Sequence, residues 1–439
     1  MSKKTQSSFV CDNCGSSFQT WLGKCPDCGE WNTLKEFKTS NYKSPLSGNV
    51  SKTVFVKLDS VNSDDQVSHT RLVTEFAEVD RVLGGGFVED GVVLVAGEPG
   101  VGKSTLLLSI LGKKEGLSSV YVSSEEESNQ IAYRAKRLGV SSENIHFSNQ
   151  KEIDSLLTSL AELVATEKIK LIIFDSLQGF YCGNNESLPG SISQAKEVLM
   201  KIVEFSKKQK VASIVVGHIT KEGEIAGPKF LEHMVDVVLF LEGEEMGNMR
   251  LLRSFKNRFG PTDEVGFLEI TDLGMKEIKN PSAFFLELED AVAGKATLGA
   301  RQGQRVVFAT VESLVVSTSL AFPKRVAKGI DAKRLELILA ILKKYLHLNV
   351  DSYDIYVNVS GGLKINDPLA DLGVATAIYS SMKNKVYSPK TVFLGELGLL
   401  GNIRKSRTLP RIIKEAKRLG FTQIYSSDNL KSIQELGKV

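Results

Sequence analysis

Short runs of aliphatic and β-branched residues alternate with longer amphipathic stretches between about residue 70 and residue 272. This alternation predicts repeated βαβ units and a mostly parallel sheet. The strands predicted in this region are Val92–Ala96, Val120–Ser123, Leu171–Phe174, Ser213–Gly217 and Val235–Leu241. Two later apolar runs, Met249–Phe255 and Val265–Ile270, are typical of antiparallel strands at a sheet edge.

A second pattern begins near Pro281 and continues to the C-terminus. Its predicted strands are Arg305–Val311, Tyr353–Val359 and Val392–Leu394, and its predicted helices are Ala332–Tyr345, Asp371–Met382 and Pro410–Leu419. Residues 38–68 are rich in Ser, Asn, Lys and Asp, which predicts a linker with one short strand at Val54–Leu58. The chain is therefore predicted to hold a cysteine-rich segment at 1–37, a linker at 38–68, an α/β domain at 69–272 and an α+β domain at 281–439.

The composition agrees with packed, soluble domains. Of the 439 residues, 42% are hydrophobic and 24% are charged, as in ordinary globular proteins. No apolar run is long enough to span a bilayer, and the N-terminus lacks the apolar core of a secretory signal. We therefore expect a cytoplasmic protein with no membrane segment. The formal net charge of +3 neither requires nor excludes a nucleic-acid partner.

Four of the five cysteines lie between positions 11 and 28. They form two Cys-x-x-Cys pairs, and two such pairs supply the four thiolates of a structural Zn²⁺ site. The predicted ligands are Cys11, Cys14, Cys25 and Cys28. Unrelated buried cysteines and a thioredoxin-like redox pair are the alternatives, and the spacing favours zinc over both. In the same segment, Trp21 and Trp31 either stack on a partner or pack around the metal.

Residues 97–104 match the nucleotide-binding pattern GxxxxGK[ST] in full. They follow a predicted strand and open a predicted helix, Thr105–Lys114, which is the context that such a loop requires. The glycine-rich backbone and the helix N-terminus favour phosphate, Lys103 reaches the β- and γ-phosphates, and the Ser104 hydroxyl ligates Mg²⁺. The residues predicted to bind ATP are Gly97, Glu98, Pro99, Gly100, Val101, Gly102, Lys103, Ser104 and Thr105. A purely structural turn is the alternative.

Two further strand ends carry carboxylates. Asp175 follows the apolar run Leu171–Phe174, and downstream of a P-loop this pattern predicts an aspartate near the metal. The run Val120–Ser123 leads to paired glutamates, and ligands gather at such strand ends in α/β sheets. Glu125 is the first candidate for the group that positions the attacking water, and Glu126 is the second. The alternative is a solvated acidic loop.

Several longer strings connect these motifs to a known family. They are Trp21–Pro26 (WLGKCP), Trp31–Leu34 (WNTL), Asp80–Phe87 (DRVLGGGF), Pro189–Ser191 (PGS), Gly217–Asp236 (GHITKEGEIAGPKFLEHMVD) and Lys256–Gly260 (KNRFG). Through them the chain resembles, over nearly its whole length, the bacterial RadA (Sms) family of RecA-like DNA repair and recombination ATPases. Ser124 departs from the family, which more often has Gly before the paired glutamates. The change matters only if that backbone needs a positive φ angle.

The resemblance implies a homohexameric ring that binds single-stranded DNA and branched DNA intermediates and drives branch migration alongside RecA. It also implies that Lys256 and Arg258 reach the nucleotide of the neighbouring subunit as trans fingers. Their spacing of two at a strand end predicts that both side chains share a face. A basic surface turn is the alternative interpretation.

Two glycine-rich segments are predicted to line the DNA channel of such a ring. They are Gly179–Ser193, with Phe180 and Tyr181 near its start, and Lys221–Phe230, with Lys221 and Lys229. Backbone charge neutralisation together with aromatic stacking would give sequence-tolerant binding of a single strand.

Region 281–439 resembles the proteolytic domain of Lon protease, through Asp367–Asp371 and Gly395–Gly398. A Lon-type peptidase needs a nucleophilic Ser activated by a Lys, but Leu369 occupies the Ser position and the Lys position falls near Pro410. We therefore expect no peptidase activity, and a role in assembly and DNA contact. Two basic clusters support DNA contact, with a solvated charged face as the alternative. They are Arg404, Lys405, Arg407, Arg411, Lys414, Lys417 and Arg418, and separately Lys324, Arg325 and Lys328.

The sequence thus predicts an α/β protein with three parts: an N-terminal four-cysteine zinc ribbon, a RecA-like P-loop ATPase core and a C-terminal Lon-protease-like α+β domain. The predicted activity is DNA-dependent, helicase-like ATP hydrolysis. One alternative is an ATP-regulated Lon-like peptidase, which the missing Ser/Lys dyad disfavours. Another is a non-motor RecA-like scaffold ATPase, which the ribbon and the KNRFG string disfavour.

Overall fold

The computed structural model of the chain describes residues 7–11, 17–18, 20–27, 29–38, 70–114, 116–185, 187–218, 230–243, 247–286 and 291–439. The predicted strand Val54–Leu58 lies outside these residues. The N-terminal ranges form an antiparallel sheet of β1 (Ser7–Cys11), β2 (Ser17–Phe18) and β3 (Leu34–Lys38), with β1 in the middle. The buried side chains of Cys11, Cys25 and Leu34 form its small core.

The next part of the chain alternates strands and helices. Its strands are β4 (Arg71–Leu72), β5 (Phe87–Val88), β6 (Val92–Gly97), β7 (Ser119–Ser123), β8 (Ile145–Ser148), β9 (Leu171–Asp175), β10 (Ala212–His218), β11 (Val237–Gly243), β12 (Met249–Asn257), β13 (Val265–Thr271) and β14 (Gly274–Glu277). Its helices are α1 (Ala77–Leu83), α2 (Lys103–Lys113), α3 (Ser128–Arg137), α4 (Ile153–Glu167), α5 (Ile192–Gln209) and α6 (Phe230–Met234).

A nine-stranded sheet organises this part, in the order β14-β13-β12-β11-β6-β10-β9-β7-β8. The strands from β11 to β8 in this order are parallel, whereas β12 pairs antiparallel with β11, and β14 with β13. The central strands are mostly apolar because both faces of the sheet are covered. Val93 and Ile173 belong to the core on one face, and Val92 and Ile172 belong to the core on the other.

The predicted mostly parallel sheet is confirmed. Each strand predicted in this region is present, and its ends lie within two residues of the predicted bounds. Val235 and Asp236, which were predicted to begin a strand, form a bend before β11. Strands β8 and β14 were not predicted, because each is short and mixes polar with apolar residues.

The C-terminal part contains its own sheet. Its strands are β15 (Lys295–Gln302), β16 (Arg305–Ser317), β17 (Arg325–Lys328), β18 (Tyr353–Val359), β19 (Thr391–Leu394), β20 (Glu396–Leu397), β21 (Ile403–Arg404) and β22 (Gln423–Ser426), and its helices are α7 (Pro281–Phe285), α8 (Ala332–Leu346), α9 (Asp371–Lys383) and α10 (Leu409–Arg418). Six strands pair in the order β17-β18-β16-β15-β19-β22. Strand β15 was not predicted, because its small and polar residues carry little apolar signal.

Contacts between residues divide the chain into two compact units. The first contains the described residues of Met1–Gly243, Arg250–Thr262 and Leu268–Glu277, and the second contains those of Glu244–Met249, Asp263–Phe267 and Ile278–Val439. The chain therefore crosses between the units more than once. Within the described ranges, no helix has the length and apolar character needed to cross a membrane.

Candidate active site

The loop of residues 97–104 leaves the end of β6 and turns directly into α2. Gly100 and Gly102 have φ angles of 79° and 106°, a region in which other residues are strained. A Cβ on Gly102 would also lie 2.7 Å from the Met275 side chain. The loop therefore requires glycine at both positions, and its helix begins at Lys103, two residues before the predicted start.

Lys103 folds back against its own loop. Its Nζ donates to the carbonyl oxygens of Gly97 at 2.8 Å and Glu98 at 3.0 Å, and the residue is only 5% exposed. Burial lowers the pKa of the ammonium group, while the charges of Asp175 and Glu125 act in the opposite direction. The lysine and the two carboxylates therefore share one site, as a phosphate with its metal ion requires.

The carboxylate of Asp175, at the end of β9, accepts hydrogen bonds from two hydroxyl groups on one oxygen. Asp175 Oδ2 accepts a hydrogen bond from Ser104 Oγ at 2.6 Å and another from the Tyr121 hydroxyl at 2.5 Å. The pairing of Ser123 with Asp175 places β7 directly beside β9. Hydroxyl and carboxylate oxygens are the ligands that Mg²⁺ takes. The structure thus brings together Ser104 and Asp175, the two residues predicted to hold the metal, and their oxygens fit that ion.

Tyr121 was missed by the sequence reasoning. It is fully buried in the middle of β7. Burial, followed by the neighbouring Asp175 charge, raises the pKa of its hydroxyl well above the usual 10, so the group stays protonated and acts as a donor. The signal in the sequence is a lone tyrosine in a buried apolar run, because a buried tyrosine hydroxyl needs a hydrogen-bond partner.

The paired glutamates after β7 face different neighbours. Glu125 accepts a hydrogen bond from the hydroxyl of Ser176, the residue that follows Asp175. Glu126 forms an ion pair with Arg134 of α3, with 2.6 Å between the charged atoms. Glu125 therefore lies at the end of β9, next to the residues predicted to hold the metal, whereas Glu126 is paired with an arginine of α3. This placement supports the predicted ranking of Glu125 before Glu126.

Ser124 fits its position without a special backbone conformation. Positive φ angles occur at six described residues other than glycine, and Ser124 is not one of them. Its Oγ donates to the carbonyl of Ser176 at 2.8 Å and accepts from the N–H of Ser176 at 3.1 Å. A Cβ on Gly179 would lie only 2.2 Å from this Oγ. The serine side chain therefore has room because residue 179 is glycine.

Lys256 lies far from the P-loop of its own chain. Leu241 of β11 pairs with Gly97 on one side and with Leu252 on the other, whereas Val238 pairs with Lys256. Because β12 runs antiparallel to β11, moving from Leu252 to Lys256 leads away from the P-loop. The distance along the sheet is about 10 Å for the three positions between Leu241 and Val238.

Arg258 lies farther still along the same direction. Its N–H donates to the carbonyl of Asp236, and the N–H of Asp236 donates to the carbonyl of Val92, the first residue of β6. Arg258 is therefore at the level where β6 begins, and the P-loop is where β6 ends. The guanidinium is half exposed, at 56%, and its nitrogen lies 3.3 Å from the carboxylate of Asp236.

Lys256 is held more tightly than Arg258. Its Nζ donates to the carbonyl oxygens of Glu232 and Val235, both at 2.8 Å, and more weakly to that of His233 at 3.3 Å. Burial, and then the nearby Arg258 charge, lower the pKa of its ammonium group. The two cations are neighbours with different partners, and Arg258 is the more accessible of the two.

The other residues of the KNRFG string contact the string DRVLGGGF and Arg71. The Asn257 side-chain amide donates to two carbonyl groups at the end of α1, at 3.3 and 3.2 Å. Arg71 donates to the carbonyl of Phe259 at 2.7 Å. A Cβ on Gly84 would lie 3.1 Å from the Cα of Gly260. These contacts fix the backbone on both sides of residue 258.

One prediction for the DNA-facing segments is wrong. Phe180 is fully buried and packs edge-on against Phe174, with 6.0 Å between ring centroids. The 3-10 turn after β9 folds the chain back, so that Phe180 joins the core. Tyr181 is partly exposed. Lys221 and Lys229 of the second predicted segment lie outside the described residues.

The ribbon places two of the predicted zinc ligands in its core. Cys11 and Cys25 are each 1% exposed, and Cys14 and Cys28 lie outside the described residues. The Gly29 N–H donates to the Cys25 carbonyl at 2.9 Å, and Gly29 has a φ angle of 76°. Such a tight turn after a cysteine suits a pair of thiolates aimed at one ion.

The two tryptophans of the ribbon lie on its surface. Trp21 is 56% exposed and Trp31 is 67% exposed. The ammonium of Lys24 lies 5.6 Å from the centroid of the Trp31 ring. Of the two interpretations left open by the sequence, this exposure favours contact with a partner over packing around the metal.

The C-terminal part has no reactive side chain at either position of the Lon dyad. Leu369 is 3% exposed in a short 3-10 turn before α9, and Pro410 is the second residue of α10. Neither side chain can act as a nucleophile or as a base.

The two predicted basic clusters differ in accessibility. Helix α10 exposes Arg411, Lys414 and Arg418 to solvent. Arg325 instead donates to the carbonyl groups of Tyr353 and Val350, at 2.5 and 2.7 Å. Its guanidinium therefore stabilises the fold, and only the two lysines of that cluster, Lys324 and Lys328, are exposed.

Three known families match successive parts of the chain. The sequence profile of the KaiC ATPase family matches residues 72–281. That of the rubredoxin metal-binding domain matches residues 9–36, and that of the ChlI subunit of Mg-chelatase matches residues 329–429. The fold and the P-loop site thus define a RecA-like ATPase of the KaiC class, preceded by a zinc ribbon and followed by a ChlI/Lon-like domain.

Individual relatives cover almost the whole chain. The DNA repair protein RadA of Aquifex aeolicus (strain VF5) is 42% identical over 95% of this chain and 92% of its own length. The RadA proteins of Halalkalibacterium halodurans and Bacillus subtilis (strain 168) are each 38% identical, over 97% and 96% of this chain and 93% and 92% of their own lengths. The chain belongs to the RadA family of DNA repair proteins.

Proposed function

We propose that this RadA-family ATPase is a motor that works as a homohexameric ring on single-stranded and branched DNA and promotes branch migration together with RecA in the cytoplasm. Its parts are a ribbon at residues 1–37, a linker at 38–68, an ATPase domain at 69–272 and a Lon-like domain without peptidase activity at 281–439. The C-terminal domain serves assembly and DNA contact through its exposed basic residues.

The P-loop and the neighbouring strand ends divide the tasks of ATP hydrolysis. Residues 97–105 hold the nucleotide, with Lys103 directed to the phosphates. Ser104 and Asp175 hold Mg²⁺, which neutralises charge on the transferred phosphoryl group when it is bound. Glu125 orients and deprotonates the attacking water, with Glu126 as the second candidate. Lys103 exchanges its two carbonyl partners in the loop for phosphate oxygens when ATP binds.

The observation that carries the ring proposal is the position of Lys256 and Arg258. Arg258 stands at the start of β6 and the P-loop stands at its end, which separates them by about 16 Å along the sheet. Neither cation can therefore serve the nucleotide of its own chain. A neighbouring subunit would complete the site if the part of its sheet that carries Arg258 and Lys256 packed against the P-loop of this chain. Arg258 would then be the main residue that contacts the nucleotide, with Lys256 beside it.

A subunit-mixing experiment tests this proposal. Lys103→Ala removes the phosphate contact but leaves the fingers, and Arg258→Ala removes the finger but leaves the P-loop. Each variant alone should lose ATPase activity by about 100-fold or more. Mixed in equal amounts before single-stranded DNA is added, the two inactive variants should regain up to about a quarter of wild-type activity, because random neighbours create intact sites.

Two controls make the result specific. The double variant Lys103→Ala, Arg258→Ala mixed with the Lys103→Ala variant provides no intact P-loop, so activity should stay lost. Arg253→Ala removes another cation of β12, which pairs with Glu242 at 3.0 Å, and should leave activity nearly unchanged. If the first mixture stays as inactive as this double-variant mixture, the fingers do not act between subunits.

The alternatives predict different activities. An ATP-regulated peptidase would cleave casein in the presence of ATP, and we expect none because Leu369 and Pro410 replace the dyad. A scaffold ATPase would hydrolyse ATP equally well with and without single-stranded DNA, whereas a motor is stimulated by it. A three-strand branch-migration assay with RecA completes the test. Equal activity of the wild type, Lys103→Ala and Arg258→Ala would overturn the motor proposal.

The ribbon is proposed to hold one Zn²⁺ through Cys11, Cys14, Cys25 and Cys28. The burial of Cys11 and Cys25 in one small core and the tight turn at Cys25 support this assignment. The metal content of the purified protein tests it, and we expect about one zinc per chain.

A further inference from the structure

The Tyr121 hydroxyl occupies an unusual place for a polar group. It lies inside the nine-stranded sheet, on a strand whose five residues are all buried. The residue is 0% exposed, and its ring belongs to the apolar core that also contains Leu107 and Ile173. A phenylalanine ring would fill the same space, so packing alone does not explain the hydroxyl. The hydrogen bond that this hydroxyl donates is therefore the feature that distinguishes tyrosine from phenylalanine at this position.

That hydrogen bond reaches the residue proposed to support Mg²⁺. The Tyr121 hydroxyl lies 2.5 Å from Asp175 Oδ2 and donates to the same oxygen that Ser104 Oγ approaches at 2.6 Å. Hydrogen bonds from hydroxyl groups to an ionised carboxylate are short and strong. The tyrosine ring is held by the sheet, because Tyr121 pairs with Ile173 two positions before Asp175. A rigid donor therefore fixes one oxygen of a carboxylate that stands at a strand end.

We propose that Tyr121 is a positioning residue for the metal site: by holding Oδ2 of Asp175, it pre-orients the carboxylate for Mg²⁺ bound with the nucleotide. The inference rests on the proposed role of Asp175. Ser104 is the partner of Asp175 and is itself proposed to hold the metal, so it cannot fix the carboxylate independently of the ion. Tyr121 can, because its ring is anchored in the core and the tyrosine is not itself a proposed metal ligand. Partners that orient a metal ligand typically change metal affinity by about 10–100-fold when they are removed.

The test is Tyr121→Phe in the full-length protein, which removes one oxygen atom and keeps the ring. Binding of a fluorescent, non-hydrolysable ATP analogue is measured while Mg²⁺ is titrated, so that no turnover is needed. We expect the Mg²⁺ midpoint to rise by about 10–100-fold, while analogue binding without Mg²⁺ and the thermal unfolding midpoint stay close to those of the wild type. A merely structural tyrosine would change stability and leave the Mg²⁺ dependence unaltered.

A matched control comes from Tyr387, whose buried hydroxyl has no hydrogen-bond partner among the described residues. Tyr387→Phe makes the same chemical change and should leave the Mg²⁺ midpoint unaltered. Asp175→Ala should raise the midpoint by itself. Added to Asp175→Ala, the Tyr121→Phe change should have less than about a twofold further effect, because residues acting through one another are not additive.

Three results would overturn the inference, and they are distinguishable. If Asp175→Ala shifts the midpoint and Tyr121→Phe does not, the positioning role is wrong while the metal assignment stands. If Tyr121→Phe has its full effect in the Asp175→Ala background, the tyrosine acts by another route. If Asp175→Ala leaves the midpoint unchanged, the proposed metal assignment fails and the role of Tyr121 fails with it.

Discussion

Replacing Gly179 by alanine tests how tightly the segment after β9 is packed beside Glu125. A Cβ at this position would lie 2.2 Å from Ser124 Oγ and 2.6 Å from Ser124 Cβ. Gly179 does not have a positive φ angle, so the steric clash and not backbone strain decides the effect. Ser124 is 3% exposed and its hydroxyl bonds both backbone groups of Ser176. The serine therefore cannot turn away without breaking both hydrogen bonds.

Turning the Ser124 hydroxyl away would not relieve the clash by itself, because the Ser124 Cβ would still lie 2.6 Å from the new Cβ, so the backbone must also shift. Breaking the two hydrogen bonds costs about 2 kcal/mol, at about 1 kcal/mol each. Shifting the backbone to make room costs about 1–3 kcal/mol. We therefore expect Gly179→Ala to lower the free energy of unfolding of the ATPase part by about 2–3 kcal/mol. Hydrolysis should also slow, because the displaced Ser176 hydroxyl contacts Glu125.

The assay is urea unfolding of the full chain followed by circular dichroism. The transition that shifts when ATP and Mg²⁺ are added belongs to the ATPase part, because a ligand stabilises only the part that binds it. Ser124→Gly removes both side-chain atoms that the new Cβ would meet, and by itself loses about 2 kcal/mol with the two hydrogen bonds. In that background Gly179→Ala should add little.

The steric account is wrong if Gly179→Ala is as stable as the wild type. It is also wrong if the substitution destabilises the Ser124→Gly variant by the same amount as the wild type, because two residues in contact must show a coupling energy.

Three other predictions concern separate elements. Arg71→Met should lower the free energy of unfolding by about 2 kcal/mol, because the guanidinium bonds carbonyl groups of Leu83, Gly86 and Phe259 and hydrogen bonds from charged groups are strong. Glu152→Gln should cost about 1 kcal/mol at neutral pH, since hydrogen bonding to Ser155 lowers the pKa of this α4 N-cap from 4.5 to about 2; the stabilisation is present above pH 4.5 and is lost as the pH falls towards 2. Chelation of zinc should change the fluorescence of Trp21 and Trp31 and leave the ATP-dependent unfolding transition in place.

Each of these has a control. Arg81→Met removes an ion pair with Glu78 from a side chain that is 43% exposed and should alter stability by less than about 1 kcal/mol; an equal loss in both variants would contradict the role of Arg71. The Glu152→Gln variant and the wild type should become equally stable near pH 2, and a constant difference at all pH values would contradict the pKa argument. Unchanged tryptophan fluorescence after complete metal removal would contradict the zinc assignment.

Much of the fold followed from local patterns. The run Val92–Ala96 predicts a buried strand because all its residues are apolar and three of the five are β-branched, and the structure places β6 there. The P-loop was predicted with its strand and helix because its pattern depends on neighbouring residues only. Its glycines permit the tight turn, and Lys103 contacts carbonyl groups of the same loop. The antiparallel strands after residue 249 were predicted because their composition suits a sheet edge. In all three cases the information lies within a few neighbouring residues.

The contacts of individual side chains could not be predicted from such local patterns. Phe180 was predicted to face DNA, but the turn after Asp175 returns its ring to the core. Arg325 was counted as a DNA contact, but the carbonyl groups of distant residues engage it. Tyr121 was not predicted as a site residue, because its partner Asp175 lies 54 positions away in the chain. Each of these outcomes depends on which segments become neighbours after folding.

The sequence alone determined the type of each part of this protein: a cysteine ribbon, a P-loop ATPase core and a C-terminal α+β domain that lacks the peptidase dyad. These are properties of short motifs and of hydrophobic periodicity, which the local chain carries. The tertiary structure decided how the site residues are arranged. It brought the hydroxyl groups of Ser104 and Tyr121 to one carboxylate oxygen of Asp175. It placed Lys256 and Arg258 towards the end of the sheet where β6 begins, away from the P-loop at the other end of β6. The order of strands in the sheet sets both arrangements, and that order arises from long-range packing, not from any single stretch of sequence.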